Sequence, residues 1–553
     1  MKTSRRPSAR GRFFSFLYFY YSITIFHLLI SIARNHLYGF KKIGSIMTRV
    51  LLIHPPVAKP GEPPAGIARL KGALDAGRIP CSLMDANLEG IRFLLHGDVE
   101  ADDTWTQNAV KNTDRHIHEI RSGSAFNSIG HYNRIVNDLN RLMALHGRGM
   151  EYHLSLADCT HGTLSPVRSQ DLIRCAENPE NDPFFEYYSS RLLPDIGEQT
   201  PGIIGLSVNF LSQSLSAFAM LGLIRKRFPG IQLILGGGLV TSWMSNPGWK
   251  DPFSGLVDHC VAGPGEAFFL SLLKAAEPSG GNAAPHFGGL AGLPYLSPGF
   301  VLPYNTSSGC FWRRCRFCPE QSEGGDYRPI PHGRVMEDLR MLKETTAPSL
   351  VHFLDNALSE SFLDRFTENP VGIPWYGYVR FSERLTDPDY CRRIKESGCV
   401  MLKLGLESGD QAVLDSMDKG IRIETASKVL RNLKQAGIPA YVYLLFGTPY
   451  ESEDSARRTM HFVLDHHETI GYMNPAIFNM PVSSGDAAIH PVRPFSQGDL
   501  SLYVDFEHPR GWNRSAVRHF LDREFRRQPL ISPILARTPK LFTSNHAPFF
   551  CMR

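Results

Sequence analysis

Cysteine is scarce in this chain, and its distribution excludes a fold built on disulfide bonds. Ten of the 553 residues are cysteine, and seven of these are scattered singly, as is typical of small buried apolar side chains. The aromatic fraction of 11% and the charged fraction of 20% are those of an ordinary globular protein, which excludes wholesale disorder. The length suggests about three domains.

Most of the chain also lacks the positive charge that a nucleic-acid-binding protein carries. Residues 1–46 contain eight Lys or Arg residues and no acidic residue, whereas the remainder has 51 basic and 54 acidic residues. The formal charge of +5 therefore arises from the N-terminal segment, and the remainder is close to −3. We expect no nucleic-acid partner.

The N-terminal segment, residues 1–46, contains an uncharged apolar run at 13–33 that is long enough to cross a bilayer. Three interpretations stay open: a membrane anchor, a cleaved signal peptide, or an extension upstream of a translation start at Met47. Basic residues flank both sides, so the positive-inside rule assigns no orientation, and no small-residue cleavage motif closes the run. Apart from this possible anchor, we expect a cytoplasmic protein with no membrane contact.

From Met47 onwards, short apolar segments alternate with helical ones, which indicates an α/β fold with a parallel sheet covered on both faces. The predicted strands lie in "RVLLIHPP", "CSLMDAN", "GIIGLSVNF", "IQLILGGG" and at the start of "VDHCVAGPGEAFFLSLL". Residues 91–198 interrupt this alternation with polar, mostly helical sequence, which we interpret as an insertion. The pattern predicts a doubly wound, Rossmann-like domain over residues 47–290.

Several of these predicted strands end in proline, glycine or small polar residues, at the edge where parallel sheets bind ligands. Three consecutive glycines would let a flat, bulky ligand approach the backbone, because they have no Cβ; a simple tight turn is the alternative interpretation. The candidate ligand-binding residues are Pro55, Pro56, Ser207, Asn209, Gly236, Gly237, Gly238, Gly263, Gly265 and Glu266.

The segments "LLIHPP", "GLSVNF", "LILGGG" and "AGPGEAFF" resemble the cobalamin-binding domains that precede radical S-adenosylmethionine (SAM) enzymes. The resemblance implies that the candidate residues above contact cobalamin. The chain lacks the D-x-H-x-x-G motif through which some relatives ligate cobalamin by a histidine. "DANLEG" at 85–90 has Asn87 in the place of the histidine and follows the second strand, so we interpret it as coincidental. We therefore expect no histidine ligand on the lower face of the corrin.

Three cysteines stand together: Cys310, Cys315 and Cys318 form C-x4-C-x2-C after the predicted strand "FVLPYNTSS". No second CxxC-type pair lies nearby, whereas a structural zinc site usually needs four ligands, and His332 would be a distant fourth. A catalytic thiol would need only one cysteine. Three thiolates suit a [4Fe-4S] cluster in which one iron has no protein ligand.

The cysteine motif resembles that of the radical SAM superfamily, in which the open iron binds SAM and one electron cleaves it to a 5′-deoxyadenosyl radical. Phe317 matches the aromatic residue before the last cysteine, although the first gap is one residue longer than the usual C-x3-C. Further matching segments extend over residues 300–485. The resemblance implies a partial (βα)6 barrel with its active site at the carboxyl ends of the strands.

Two segments of this barrel resemble the family's fourth- and fifth-strand SAM-binding segments. "GLESGDQAVL" implies SAM contacts for Glu407 and Ser408, and "LLFGTPYES" implies them for Gly447 and Pro449. Glu407 has an alternative role as an acid that stabilises a helix N-terminus. Arg380 is a candidate for the SAM carboxylate, with a surface ion pair as the alternative.

The combined prediction is a cobalamin-dependent radical SAM enzyme with a [4Fe-4S] cluster, SAM and cobalamin as cofactors. Residues 486–553 are predicted to be a helical extension that packs over the barrel mouth. A methyltransferase acting on unactivated carbon or phosphorus is the preferred function. A cyclase or ring-rearrangement enzyme, a methylthiotransferase and a non-catalytic cobalamin sensor are the alternatives. The expected partners are a small-molecule or peptide substrate and an electron donor such as flavodoxin or ferredoxin.

Overall fold

The computed structural model describes residues 48–276, 283–494 and 498–552, so the predicted anchor at 13–33 lies outside the described residues. Within these ranges, two parallel β-sheets carry the fold, which confirms the predicted α/β class with a Rossmann-like sheet followed by a partial barrel. None of the helices in these ranges is both long and apolar enough to cross a membrane.

The first sheet is doubly wound, as the sequence predicts. Its five strands pair in parallel in the order β2-β1-β3-β4-β5, so the strand order reverses direction between β1 and β3. Such a reversal leaves a crevice at the carboxyl edge of a sheet, where ligands bind. The strands are β1 (Val50–Ile53), β2 (Cys81–Met84), β3 (Ile203–Ser207), β4 (Gln232–Gly236) and β5 (His259–Cys260).

Helices cover both faces of this sheet, and an additional helical layer lies between β2 and β3. The four covering helices are Ala65–Ala76, Leu211–Arg227, Gly238–Met244 and Glu266–Leu272. The helices of the additional layer are Ala86–Leu95, Thr104–Ser122, Ile129–His146, Ser169–Glu177, Phe185–Tyr187 and Leu193–Gln199, with a hairpin of Tyr152–Leu154 and Cys159–His161.

The second sheet has six parallel strands that pair in sequence order. The first and last strands do not pair with each other, so the barrel is partial. The strands are β6 (Val301–Tyr304), β7 (Leu350–Phe353), β8 (Trp375–Val379), β9 (Cys399–Glu407), β10 (Ala440–Phe446) and β11 (Ile470–Ile477). The intervening helices are Pro319–Ser322, His332–Thr346, Glu360–Glu368, Pro388–Glu396, Gln411–Ser416, Ile423–Gln435 and Glu453–Asp465.

The C-terminal segment packs at both ends of the barrel, whereas the sequence predicted packing over the mouth alone. Val517 in the helix Arg514–Phe520 contacts Gly447, just beyond the carboxyl end of β10. The last helix, Thr543–Cys551, instead shares a buried cluster with Leu350 and Met401, near the amino ends of β7 and β9. This helix therefore closes the floor of the barrel.

The remaining C-terminal elements are short. They are the helices Gly485–Ile489 and Ser532–Arg537 and the antiparallel strands Met480–Pro481, Val492–Pro494 and Tyr503–Phe506.

One glycine allows the additional helical layer to pack against a helix that covers the first sheet. A Cβ added to Gly222 in the helix Leu211–Arg227 would lie 1.9 Å from the carbonyl oxygen of Ala176. We expect Gly222→Ala to lower the free energy of unfolding by about 1–3 kcal/mol, because the two backbones must separate. Chemical denaturation measures this change.

Gly197→Ala is the matched control, since a Cβ there would meet only Phe228 at an ordinary 3.7 Å. We expect this variant to be as stable as the wild type or slightly more stable, because alanine favours a helix over glycine. Equal destabilisation by both substitutions would contradict the role of the close approach at Gly222.

Candidate active site

A cavity of about 510 Å³ lies between the carboxyl edge of the first sheet and the segment that leads into the cysteine motif. Its lining includes Ser207 at the end of β3 and Ser307 to Gly309 just before Cys310. Eight of the ten residues predicted to bind cobalamin line this cavity. They are Ser207, Asn209, Gly236, Gly237, Gly238, Gly263, Gly265 and Glu266.

The three glycines at the end of β4, Gly236 to Gly238, have different structural roles. Gly237 has a φ of +108°, and a Cβ there would lie 2.4 Å from the carbonyl oxygen of Val208, so the turn itself requires this glycine. A Cβ on Gly236 or Gly238 would meet its nearest atoms at ordinary distances of 3.5 and 3.7 Å. The turn explains Gly237, whereas the other two glycines leave open space on the cavity wall.

Pro55 and Pro56 do not reach the cavity, in contrast to the sequence interpretation. Both are buried, and the carbonyl oxygen of Pro55 accepts a hydrogen bond from Gln213 Nε2 at 2.6 Å. The chain after β1 packs against the first turn of the helix that follows β3, where the N–H of Val57 donates to the carbonyl oxygen of Ser212 at 3.3 Å.

Two functional candidates that the sequence analysis missed are a cation and an acid beside the cavity. Arg69, on the helix Ala65–Ala76, pairs with Glu266 at 2.9 Å, and Glu323 accepts a hydrogen bond from Ser242 Oγ at 2.6 Å. The second contact joins the helix after the glycine turn to the loop after the cysteine motif. Burial raises the pKa of Glu323. Neither residue belongs to a short motif, so no local signal identifies them.

The described lining of the cavity contains no histidine. In "DANLEG", Asp85 caps the helix Ala86–Leu95 by accepting a hydrogen bond from the backbone N–H of Leu88 at 2.9 Å. Asn87 exchanges two hydrogen bonds with the backbone of Ala58. Both side chains therefore have structural partners, as expected if the likeness to a cobalamin-ligating motif is coincidental.

The three cysteines of the motif lie on one loop, with Cys315 buried and Cys310 and Cys318 half-buried. Burial raises the pKa of the Cys318 thiol to about 11, and negative charge on the other two thiols adds to this rise. Burial also raises the pKa of Cys315, which the positive charges of Lys419 and Arg380 oppose. These two cations would stabilise thiolate ligands and an anionic cluster.

The three thiols provide one ligand fewer than a structural zinc site usually has. In the part of the chain that the structure describes, no three His, Cys, Asp or Glu side chains are grouped around a single ion position. His332 packs its ring against Phe362, with centroids 5.9 Å apart. The donor set fits a cluster better than zinc.

Asp355, directly after β7, holds the chain that enters the cysteine loop. Its carboxylate accepts hydrogen bonds from the backbone N–H of Thr306 at 2.9 Å, from Thr306 Oγ1 at 2.8 Å and from Ser307 Oγ at 2.6 Å. The side chain is buried, and three donors compensate its charge. The position of the loop thus depends on a neighbouring strand end.

Arg380 contacts the cysteine loop and has no surface carboxylate partner in the described chain. One of its guanidinium nitrogens lies 4.0 Å from Cys315 Sγ, and the other donates to the carbonyl oxygen of Lys419. The guanidinium lies 4.3 Å from the centre of the Trp312 ring, which rests on Gly420. Trp312 and Arg380 also line a second cavity of about 430 Å³ on this side of the loop.

Glu407 and Ser408, predicted together as SAM contacts, have different surroundings. Glu407 is at the carboxyl end of β9 and pairs with Lys419 at 2.7 Å, beside the ring of Phe317. Ser408 is fully buried, and its hydroxyl lies 3.2 Å from Thr459 Oγ1 in the helix Glu453–Asp465. The structure brings Glu407 to the cysteine loop but uses Ser408 for packing.

The glycine–proline turn after β10 encloses a buried carboxyl group. Glu451 Oε2 accepts hydrogen bonds from the N–H of Gly447 at 2.5 Å and from the Trp512 indole at 2.9 Å, while Oε1 has no partner. Burial raises the pKa of Glu451 to about 8. Gly447 has a φ of +83°, and Pro449 is buried in this turn. Glu451 therefore holds the shape of the segment predicted to contact SAM.

The comparisons with known proteins agree with this geometry. Residues 304–463 match the model of the radical SAM superfamily. The matched range includes the cysteine motif, Arg380, Glu407 and Gly447. Residues 304–463 therefore form a radical SAM domain, which implies a [4Fe-4S] cluster and SAM as cofactors.

Two curated relatives are similar over part of the chain. One is bacteriochlorophyllide d C-12(1)-methyltransferase of Chlorobaculum tepidum, with 26% identity over 30% of this chain and 38% of the relative. The other is anaerobic magnesium-protoporphyrin IX monomethyl ester cyclase of Rubrivivax gelatinosus, with 22% identity over 37% of this chain and 36% of the relative. The chain thus aligns with little more than a third of the length of either relative.

A solved structure shares the fold over a larger part of the chain. It is the cobalamin-dependent S-adenosylmethionine radical enzyme OxsB with aqua-cobalamin bound, with a TM-score of 0.54 and 12% identity. The match covers 84% of this chain and 65% of that chain. The similarity confirms the arrangement of a Rossmann-like sheet followed by a partial barrel.

The buried carboxyl of Glu451 generates a pH-dependent stability. Because the pKa of Glu451 is raised in the folded protein, its carboxyl group stays protonated there at a pH well above 4.5. In the unfolded chain the same group has its ordinary pKa of 4.5 and loses the proton. Wild-type stability should therefore fall as the pH rises from about 5 to about 8. Glu451→Gln should remove this loss, so that the variant gains about 2–4 kcal/mol relative to the wild type across this range. Urea denaturation at a series of pH values measures the difference.

Glu453→Gln is the control in the same segment, since the Glu453 side chain is 54% exposed. We expect its stability to follow the wild-type pH profile. If the stability of Glu451→Gln also followed the wild-type pH profile, Glu451 would not be protonated in the folded protein at these pH values.

Proposed function

We propose that this radical SAM enzyme is a cobalamin-dependent methyltransferase that acts on an unactivated carbon or phosphorus atom. The observation that carries the proposal is the shared cavity, which the carboxyl edge of the first sheet and the approach to Cys310 line together. A ligand in this cavity would touch both the glycine-rich strand ends and the cysteine loop. When bound, the cluster would supply the electron that cleaves SAM, and cobalamin would supply the methyl group.

The cysteine loop and its surroundings would hold the cluster and SAM. Cys310, Cys315 and Cys318 are the proposed cluster ligands, with Arg380 and Lys419 as the nearby positive charges. We propose that SAM lies between this loop, which carries Phe317, and the strand ends that carry Glu407, Gly447 and Pro449. In this arrangement the Glu407 carboxylate gives up its ion pair with Lys419 and contacts SAM instead.

The eight cavity residues of the first sheet, defined above, would bind cobalamin. Gly236 and Gly238 leave open wall for a flat ligand, and Asn209 fixes their turn by accepting the N–H of Gly238 at 2.9 Å. The absence of histidine from the described lining supports binding without a histidine ligand. The cobalamin named in the OxsB structure and the methyl transfer named for the Chlorobaculum relative also support this assignment.

Cyclisation or ring rearrangement is the second candidate, because one relative is named as a cyclase. The two reactions differ in their products. Methyl transfer that consumes a second SAM yields S-adenosylhomocysteine together with 5′-deoxyadenosine, whereas rearrangement yields 5′-deoxyadenosine alone. Product analysis by mass spectrometry with a turned-over substrate separates them.

We expect Cys310→Ala, Cys315→Ala and Cys318→Ala each to abolish iron incorporation and reductive SAM cleavage. The remaining two thiolates cannot hold a cube that leaves one iron open. Anaerobic reconstitution followed by iron analysis, electron spin resonance and 5′-deoxyadenosine measurement tests this result.

Cys81→Ala is the control for these variants, since Cys81 is a lone half-buried cysteine on β2. It should keep both cluster and cleavage. Wild-type iron content in any of the three motif variants would contradict the assignment of that ligand.

We expect Gly236→Leu to lower cobalamin affinity by about tenfold or more, because the new side chain would occupy the cavity. The backbone at Gly236 accepts a Cβ, so the variant should fold. Titration with cobalamin, followed by its absorbance spectrum, measures the affinity.

Reductive SAM cleavage should persist in Gly236→Leu, because the cysteine loop is unchanged. Gly230→Leu is the control, since a Cβ there meets open space away from the cavity. Equal cobalamin affinity in wild type and Gly236→Leu would refute binding at this sheet edge.

A further inference from the structure

The floor of the barrel contains a chain of three titratable side chains that the proposed methyl transfer does not use. Lys403 Nζ lies 2.8 Å from His352 Nε2, and His352 Nδ1 lies 2.9 Å from a carboxylate oxygen of Glu62. Lys403 is on β9 and His352 is on β7, so their side chains meet across the barrel interior rather than along neighbouring strands. Glu62 comes from the loop after β1.

Lys403 has few partners for a buried ammonium group. It is 3% exposed, and His352 is its hydrogen-bond acceptor within the described chain. The rings of Tyr378 and Tyr376 lie 4.1 and 5.2 Å from its nitrogen. Aromatic faces attract a cation but do not accept its N–H groups as well as oxygen does.

A second ammonium group lies in the same region. Lys59 donates to Thr543 Oγ1 at 3.3 Å, at the start of the last helix. Its charge and that of Lys403 repel each other, which contributes to lowering the pKa of Lys403. Asn545, also on the last helix, donates to Glu62 at 3.3 Å. The loop after β1 and the last helix thus close the barrel from below.

Several side chains around these groups retain accessible surface. The side chain of Glu62 keeps 20% of its surface accessible although it contacts an interior histidine. Lys59, Tyr378, Tyr443 and Ser544 are likewise only half-buried. We call the space bounded by Lys59, Glu62, His352, Tyr378, Lys403, Tyr443 and Ser544 the floor recess.

The charges of the floor recess do not balance. Two ammonium groups, Lys59 and Lys403, face one carboxylate, Glu62. Burial lowers the pKa of His352 and of nearby His546, so both are neutral. Glu407 lies towards the barrel mouth and pairs with Lys419. Burial of one uncompensated positive charge is costly, and the pKa of Lys403 is accordingly lowered to about 7.

We propose that the floor recess binds an anionic group of the substrate, a carboxylate or a phosphate, between Lys403 and Lys59. The anion supplies the missing negative charge and accepts the N–H groups of Lys403 that the aromatic rings leave unused. The identification of the occupant as the substrate rests on the proposed function. The binding of an anion does not, so the two can fail separately.

The test uses the full-length protein, purified without oxygen, with sodium acetate and sodium phosphate as probes. Each replaces sodium chloride at constant ionic strength, and choline chloride is the cationic control. We expect a saturable rise in melting temperature of about 2 °C with at least one of the two anions. The anion that acts identifies the group as a carboxylate or a phosphate.

Lys403→Met and Lys59→Met should each lose this response, since each removes one of the two cations. Lys434→Met should retain it, because Lys434 is exposed on the helix Ile423–Gln435 and pairs with Glu468. An equal response in wild type and Lys403→Met, or a response to choline alone, would overturn the proposal.

A second measurement uses the wild type alone and so does not depend on the folding of any variant. Lys403 faces Glu62, Lys59 and neutral His352, and an anion beside it raises its proton affinity. Binding at about pH 8 should therefore take up a fraction of a proton, whereas binding at about pH 6 should take up almost none. Calorimetry in buffers of different ionisation enthalpy measures the uptake. No uptake at pH 8 refutes the role of Lys403.

Production of 5′-deoxyadenosine from SAM, measured on the same wild-type preparation, tests the proposed function independently. Anion binding without SAM cleavage would leave the recess standing and refute the radical chemistry. SAM cleavage without anion binding would refute the floor recess as an anion site and leave the radical chemistry standing.

Discussion

Parallel strand pairing is the constraint on which the rest of this structure depends. In a parallel sheet every strand ends at the same edge, so the residues that follow separate strands meet there. The first sheet gathers Ser207, Gly236 and Glu266 in this way, although they are distant in sequence. The partial barrel does the same for the cysteine loop, Asp355 and Glu407. The main cavity lies where the first edge meets the approach to Cys310.

Buried polar groups connect the segments that this arrangement brings together. Asp355 ties the end of β7 to the segment before Cys310, and Glu451 ties the turn after β10 to Trp512 of the C-terminal segment. Glu62 and His352 connect the loop after β1 to the barrel interior. Each contact replaces water lost on burial, so a missing partner would leave a costly unpaired group. These contacts hold elements in register that apolar packing alone would position less specifically.

Local patterns revealed much of the fold and part of the site. Apolar runs ending in proline or glycine marked the strands, and the cysteine spacing marked the loop. Eight residues predicted at strand ends do line one cavity. Pro55, Pro56 and Ser408 do not take the predicted places, because sequence position does not tell which way a side chain points after its strand ends. Arg69, on a helix face, and Glu323, in the loop after the cysteine motif, were missed since neither belongs to a short motif.

The sequence by itself determined the alternation of strands and helices, the close spacing of the three cysteines and the glycine turn at Gly237, because each depends on residues within a few positions of one another. Only the tertiary structure decided that the side chains of Lys403, His352 and Glu62 are linked by hydrogen bonds, since they come from three separate segments. It also decided that the last helix closes the barrel floor rather than its mouth. Such contacts depend on the path of the whole backbone, which no local pattern contains.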